Sequence, residues 1–488
     1  MTQATSSHRA EITRRGFLGS TTASMAVTSL ARASDDAAPC VLGYPDRISV
    51  LPGETIRLHM SATVSMYDLS IERIGATRKV VWSQKGIKGV EYDVPADASA
   101  NGCGWPVAIE VPIGADWASG LYEVVTNGGG DHADSVTLKR SGAIIAFVVR
   151  ASPSATHAKI LLQLSTNTDN AYNNFGGYSL YAFNGRDGIQ GNRVSFLRPA
   201  NFHGLKKYEI PFIQWAESRG YRLDYAVNND LEFHSELLDR LDQRRLVLSV
   251  GHDEYWSKPM RDRLEAFVAC GGNAAFFSGN TCCWQVRNQR DGLVCYKQSF
   301  REDPCYRPDG PNPLLSTLWS HRLIARPENT MTNVGVLGGG FHRSHGVLME
   351  GSGAFTVERE DHWVFAGTDL KRGDAFGGGR TVVGYECDGC EFTREDGLPV
   401  PTGRDGTPKS FEILATAPAT WGNESTLLWY SEFPQKEMGH ACLGVSVRPG
   451  GGTVFTAGTT DWSHGLTAPP DPIVERVTRT VLDRLSSQ

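Results

Sequence analysis

The residues best suited to chemistry crowd into one short stretch, Gly251-His252-Asp253-Glu254-Tyr255-Trp256-Ser257. It sets an imidazole, two carboxylates, a phenol and an indole side by side, the groups that serve general acid–base catalysis or hard-metal binding. His252 and Glu254 alternate, which lets both face one pocket. A second stretch, Ser165 to Tyr178, carries asparagines with Tyr172 and Tyr178 and suits hydrogen bonding to a small polar ligand. A third, Ser278-Gly279-Asn280-Thr281-Cys282-Cys283-Trp284, offers an amide and two thiols. Two chemistries can be assembled. One is a thiol hydrolase built from Cys282, His252 and Glu254. The other is a metal site in which Glu254 and phenolates of the tyrosine-bearing stretch form a hard, anionic oxygen set that prefers ferric iron to zinc. Neither H-E-x-x-H nor a doubled C-x-x-C occurs. The bland alternative is a helix cap at Asp253 or Ser257 with Trp256 packed beneath it, and an asparagine-rich turn before it.

These stretches need a scaffold. Leu246 to Val250 reads as a buried strand, and Lys258 to Ala269 as a helix, with Met260, Leu264, Phe267 and Val268 on its apolar face. Ser257 is placed to cap that helix, and Pro259 suits its first turn. From Lys159 onward strands alternate with helices: Ile160 to Leu164, Pro211 to Arg219, Tyr221 to Ala226, Phe233 to Leu241, then Asn273 to Phe277. That alternation predicts an α/β domain over 156–488 with a doubly wound parallel sheet, the three stretches lying at the C-terminal edge of its strands. Pro472 to Leu485 reads as a closing amphipathic helix. Residues 40–150 hold short strand-like runs separated by Pro/Gly turns, which predicts an immunoglobulin-like β-sandwich. Ala151 to Thr156 reads as the linker.

The chain has 488 residues, 21% of them charged, and a formal net charge of −6. No basic patch stands out, which argues against a nucleic-acid partner. Residues 1–33 read as a twin-arginine export signal: Arg14-Arg15 precede a modest apolar stretch, and Ala31-Arg32-Ala33 suits cleavage. The expected location is periplasmic or secreted, with no membrane span in the mature chain. In such a compartment some of the 10 cysteines should pair, and Cys387-Asp388-Gly389-Cys390 reads as a disulfide, or as parts of two, rather than zinc ligands.

Four longer motifs share one resemblance. They are Asn170-Ala171-Tyr172-Asn173-Asn174-Phe175-Gly176-Gly177 with Ser179-Leu180-Tyr181; Arg193 to Pro199; Ser249 to Ser257; and Gly279 to Arg287. Together they resemble the large, catalytic subunit of the N,N-dimethylformamidase family, from about Trp117 to the C-terminus. The resemblance implies a glutamine-amidotransferase-like α/β domain behind an immunoglobulin-like one. It also implies a mononuclear ferric iron, Fe(3+), held by two tyrosines and a glutamate, and hydrolysis of small formamide-type amides. Carried over by motif, the glutamate is Glu254 and one tyrosine is Tyr172. The second tyrosine is Tyr122, of Trp117 to Tyr122. His252 and Asn280 fall beside the iron as catalytic groups, and Glu386 is a further pocket acid. The family enzyme works with a separately encoded small helical subunit; such a partner, or a homo-oligomer, stays open for this chain. Two other functions stay open too: a thiol-dependent amidotransferase-like hydrolase, and a secreted ligand- or saccharide-binding protein that keeps the fold.

Overall fold

Leu246–His252 is buried along its whole length, with its side chains divided between two faces as a strand requires. Leu246, Leu248 and Val250 enter the largest apolar cluster of the protein. Val247 enters a second cluster on the opposite side, with Met260, Leu264 and Phe267 of the helix Lys258–Ala269. That helix has the bounds read from its periodicity, and the Ser257 hydroxyl caps it by accepting from the Met260 amide. The opposite face is covered by the helices Ile210–Ser218 and Pro472–Ser487. These positions come from a computed structural model that describes residues 40–128, 143–239, 241–344, 347–349, 351–421 and 438–487. The expected export signal at 1–33 lies outside the described residues.

The sheet containing Leu246–His252 is not the doubly wound parallel sheet the sequence suggests. Its order runs Leu223–Val227, Ile160–Leu164, Leu246–His252, Asn273–Gly279, Thr453–Thr456, Met438–Val447, Glu412–Thr420, Gly335–Phe341, Glu386–Gly389. The first five pair in parallel. Every later pairing along the path is antiparallel. The described residues are mostly β, in mixed and antiparallel sheets, and only 22% of them are helical. The expected α/β class, with its glutamine-amidotransferase-like sheet, is therefore corrected. One reason lies in the second half of the chain, where Met438–Val447 passes into Thr453–Thr456 through Arg448 to Gly452, too short a connection for the crossover that parallel pairing demands.

Ahead of this sheet, Val41–Pro45, Thr55–Ala62 and Val107–Pro112 form a three-stranded sheet. Ser49–Val50, Ile145–Val149, Gly120–Gly128, Met66–Ile74 and Lys79–Lys88 form a five-stranded one. Alternate residues of both meet in one core, including Leu58, Ile71, Val111, Tyr122 and Phe147. The other face of the five-stranded sheet contributes Leu121, Ala146 and Val148 to the main cluster. Arg73 pairs with Glu217 at 2.7 Å, and the Tyr225 amide donates to Ser119 Oγ at 2.9 Å, so polar contacts also fasten the two layers.

The mixed sheet folds its last strand back over the ends of its parallel strands. Cys387 forms an antiparallel bridge with Thr459, just beyond Thr453–Thr456, and Asp388 N donates to Gly458 O at 3.0 Å. Gly279 permits the approach: a Cβ there would lie 2.5 Å from Thr460 N and 2.7 Å from Glu386 O.

Candidate functional site

The site sits where His252 ends its strand, beside Gly279 of the neighbouring parallel strand. The chain does not turn straight into the helix. Tyr255–Ser257 forms a short strand parallel to Trp284–Gln289. Side chains therefore alternate from 252 to 255. Asp253 points into the scaffold and accepts from Gln163 Nε2 (2.8 Å), Asn228 Nδ2 (3.0 Å) and Ser249 Oγ (2.8 Å). His252 and Glu254 face the other way, with Nε2 of the imidazole 3.3 Å from Glu254 Oε2.

The asparagine-rich stretch is a helix, Thr166–Tyr172, rather than a loop. Sequence propensity hid it, because Asn and Asp favour turns in isolation. Tertiary bonds select the helix. Asn167 Nδ2 donates to the Tyr255 carbonyl at 3.1 Å, and the Glu254 amide donates to Thr168 Oγ1 at 2.9 Å. Arg198, almost fully buried, donates to the carbonyls of Asn173 (2.9 Å) and Phe175 (2.6 Å) just past the helix C-terminus, where a cation is favoured. These bonds hold Tyr172 against the strand-end residues, its ring centroid 5.7 Å from that of His252.

Glu254 is enclosed by donors. Tyr181 Oη donates to both carboxylate oxygens at 2.9 and 3.0 Å, and Trp284 Nε1 donates at 2.7 Å. Tyr255 Oη in turn donates to Tyr181 Oη at 2.7 Å. The Tyr181 ring lies 4.2 Å from that of Tyr172. Glu386 arrives on the folded-back strand, 2.8 Å from His252 Nε2, and accepts from Asn280 Nδ2 at 2.9 Å. Asn280 takes a left-handed backbone (φ 50°), which asparagine tolerates. Asp388 pins it there by accepting from the Asn280 and Thr281 amides at 2.9 and 3.0 Å. Tyr385 completes the wall, 6.0 Å from the His252 ring and in hydrogen-bonding contact with Tyr172 and Glu386.

The electrostatics follow from this enclosure. Burial alone would push the His252 imidazolium down, but Glu386 and Glu254 overcome it and hold the pKa at about 10. Burial disfavours a charged Glu254, yet His252, Lys297 and Tyr181 together bring its pKa below the usual value. Tyr172 and Tyr181 are raised well above an ordinary phenol by burial, then by Glu254. Of the buried polar atoms that have no hydrogen-bond partner among the described residues, two lie on this wall: Asn280 Oδ1 and His252 Nε2, the latter near two carboxylates and in line with neither. Lys297 Nζ is a third; it sits 3.1 Å from the Tyr181 ring centroid and 4.7 Å from that of Trp284. Burial lowers the Lys297 pKa to about 8, against the pull of Glu254.

The structure thus brings together Tyr172, Glu254, His252 and Asn280, with Glu386. It does not bring Tyr122 to them. That side chain lies in the β-sandwich core, stacked between Trp117 (5.0 Å) and Phe147 (5.6 Å), and its hydroxyl donates to Ala118 O at 2.7 Å. Alternation along Gly120–Gly128 decides this, since Tyr122 and Val124 share the inward face while Leu121 turns to the main cluster. Tyr181 and Tyr385 supply the further phenols instead. Tyr181 stood inside a recognised motif, but only the fold places its hydroxyl on Glu254. Nothing in the sequence singled out Lys297.

The two adjacent thiols lie on opposite sides of the sheet. Cys282 is fully buried with Trp256 and Trp319 on the other side of the sheet, and burial drives its pKa far up. Cys283 lies on the site's side, in the main cluster, where burial and then Glu254 push its pKa up as well. All ten cysteines are free, and the Cys390 thiol meets Cys442 rather than Cys387. No disulfide within the C-x-x-C is formed.

A mostly β chain with a buried cluster of phenols, carboxylates and an imidazole at a sheet end is the class these features define. Residues 68–475 match the family described as N,N-dimethylformamidase beta subunit-like, C-terminal, and the chain belongs to that family. It is similar to the N,N-dimethylformamidase beta subunit of an Alcaligenes species, 25% identical over 52% of this chain and 34% of the relative. It is also similar to that of Paracoccus aminophilus, 23% identical over 65% of this chain and 43% of the relative. The chain therefore spans less than half the length of these relatives.

Proposed function

We propose that this protein is an amidohydrolase acting on a small linear amide. The observation that carries the reading is the convergence of Glu254, Glu386, His252 and Asn280 on one wall, in a family whose relatives are named for an amidase. Among the described residues, no group of three or more His, Cys, Asp and Glu side chains is arranged to hold a metal. The donor set here is different in kind: Tyr172, Tyr181 and Glu254 are hard oxygen donors in mutual contact, which fits a mononuclear ferric ion. Their phenolic protons are the positive charge such an ion would replace. A ferric ion held there would polarise the amide carbonyl and acidify a water molecule.

The chain's own residues carry the proton work. Glu386 accepts the proton of the attacking water. Asn280 Nδ2 donates to the oxygen as it gains charge; losing one such donor typically costs about 3 kcal/mol of barrier. His252, 2.8 Å from Glu386 and 3.3 Å from Glu254, is the group placed to pass a proton to the departing nitrogen. Export by the twin-arginine route, ending outside the cytoplasm, belongs to the same proposal. So does an association with a second subunit, supported by the beta-subunit designation of the relatives.

Metal analysis and a visible spectrum of the purified protein, alongside hydrolysis of N-substituted formamides, test the reading. Iron, a phenolate-to-iron band and chelator-sensitive turnover are expected. Iron-free protein whose turnover is abolished by thiol alkylation would overturn it, as would protein with no amide turnover at all.

A further inference from the structure

A second polar cluster lies just outside Tyr385, and it is cationic. Lys207, on the π-helical turn Leu205–Glu209, donates from Nζ to Tyr208 Oη at 2.7 Å and lies 3.5 Å from Asp461 Oδ1. The same Nζ sits 5.9 Å from the Tyr385 ring centroid. Arg343 pairs with Asp461 from its Nη2, while its buried Nε has no hydrogen-bond partner among the described residues. His464 lies 3.7 Å from Asp461 and stacks on Tyr208 at 6.2 Å. One fully buried carboxylate is thus shared by two permanent cations and a histidine, which leaves the cluster with excess positive charge.

Exposure grades inward. The Lys207 and Arg343 side chains are 30% and 19% exposed, against 9% for Glu386 and 3% for Glu254. The Tyr385 ring neighbours both groups, 6.0 Å from the His252 ring and 5.9 Å from Lys207 Nζ. A ligand that reached Glu254 from the Tyr385 side would meet the more exposed cations before the buried carboxylates. A neutral amide needs no such rim. A substrate carrying its own carboxylate does: that group is repelled by Glu254 and Glu386 and attracted by Lys207 and Arg343, so it orients the amide end inward. Arg343 offers the planar fork that recognises carboxylates.

We propose that Lys207 and Arg343 form a carboxylate-binding rim, and that the substrates are small amides bearing a carboxylate a few bonds from the amide, as in N-acyl amino acids. This deepens the amidohydrolase reading and rests on it for the word substrate, but the rim can be tested by binding alone. Calorimetric titration of the purified full chain with N-acetylglycine, with its uncharged counterpart N-acetylglycinamide and with inorganic phosphate is the measurement. The acid should bind at least about tenfold more tightly than the uncharged amide, the value of one charge-assisted contact. Lys207→Met and Arg343→Met should each erase that preference, whereas Lys207→Arg should keep it. Equal binding of acid and amide by the wild-type protein overturns the rim, and so does a preference that survives in a folded Lys207→Met. Phosphate competing as well as the acid overturns the assignment to carboxylates. Preference for the acid with no turnover of any amide supports the rim and defeats only the amidohydrolase reading.

Discussion

Tyr122 and Tyr172 make an instructive pair. Each is packed against aromatic rings, Tyr122 with Trp117 and Phe147, Tyr172 with Tyr181 and His252. Burial raises both phenols, Tyr122 to about 12 and Tyr172 well above the ordinary value. The surroundings differ. The Tyr122 hydroxyl is satisfied by a backbone carbonyl, and Arg73 lies near to moderate the shift. Around Tyr172 stand two carboxylates, further phenols, and buried nitrogen and oxygen atoms without partners. An enclosed tyrosine is ordinary packing when its hydroxyl is paired and its neighbours are apolar. It marks a site when the polar groups around it are left unbalanced, since such groups are costly to keep without a function.

The comparison breaks first at Glu254. Glu254→Ala should cut amide turnover by at least about a thousandfold and take bound iron with it, and Tyr172→Phe should lose iron and colour together. A Glu254→Ala protein with normal iron content and turnover would put the site elsewhere.

A smaller effect is expected from His252. Its folded pKa, about 10, lies above the unfolded value of roughly 6.5, so its contribution to stability is complete below that pH and disappears as pH rises toward 10. Lys297 works the opposite way, because its lowered pKa of about 8 makes folding more favourable as pH rises above that value. The readout is therefore the difference between wild-type and His252→Gln unfolding curves, measured on metal-free protein. That difference, on the order of a few kcal/mol near pH 6, should shrink toward pH 10. A difference independent of pH would show that His252 is not charged between Glu254 and Glu386.

The mildest change is Tyr122→Phe. It removes one hydrogen bond to a backbone carbonyl and should cost about 1 kcal/mol of stability, leaving iron content and the visible band untouched. Loss of iron with the fold intact would return Tyr122 to the site and dissolve the contrast between the two clusters.

Much of the scaffold was legible from the chain. The helix Lys258–Ala269, its Ser257 cap, the strand Ile160–Leu164 and the closing helix rest on local periodicity and capping, which depend on residues a few positions apart. The stretch from His252 to Glu254 was legible for the same reason, as alternation puts both side chains on one face. Three things were not. The helix Thr166–Tyr172 defies its own propensities and exists because Asn167, Thr168 and Arg198 bind distant backbone. Pairing direction in the second half of the sheet is set by which strands meet, not by their composition. Glu386 reaches Asn280 across 106 residues of chain, brought there by the bridge from Cys387 to Thr459 and by the bonds of Asp388 to the Asn280 and Thr281 amides. The sequence by itself determined which groups could do chemistry and the local elements that carry them. Tertiary structure decided which phenols join Glu254, because that depends on the face each strand presents once the sheets pack, and no local pattern encodes contacts made over such separations.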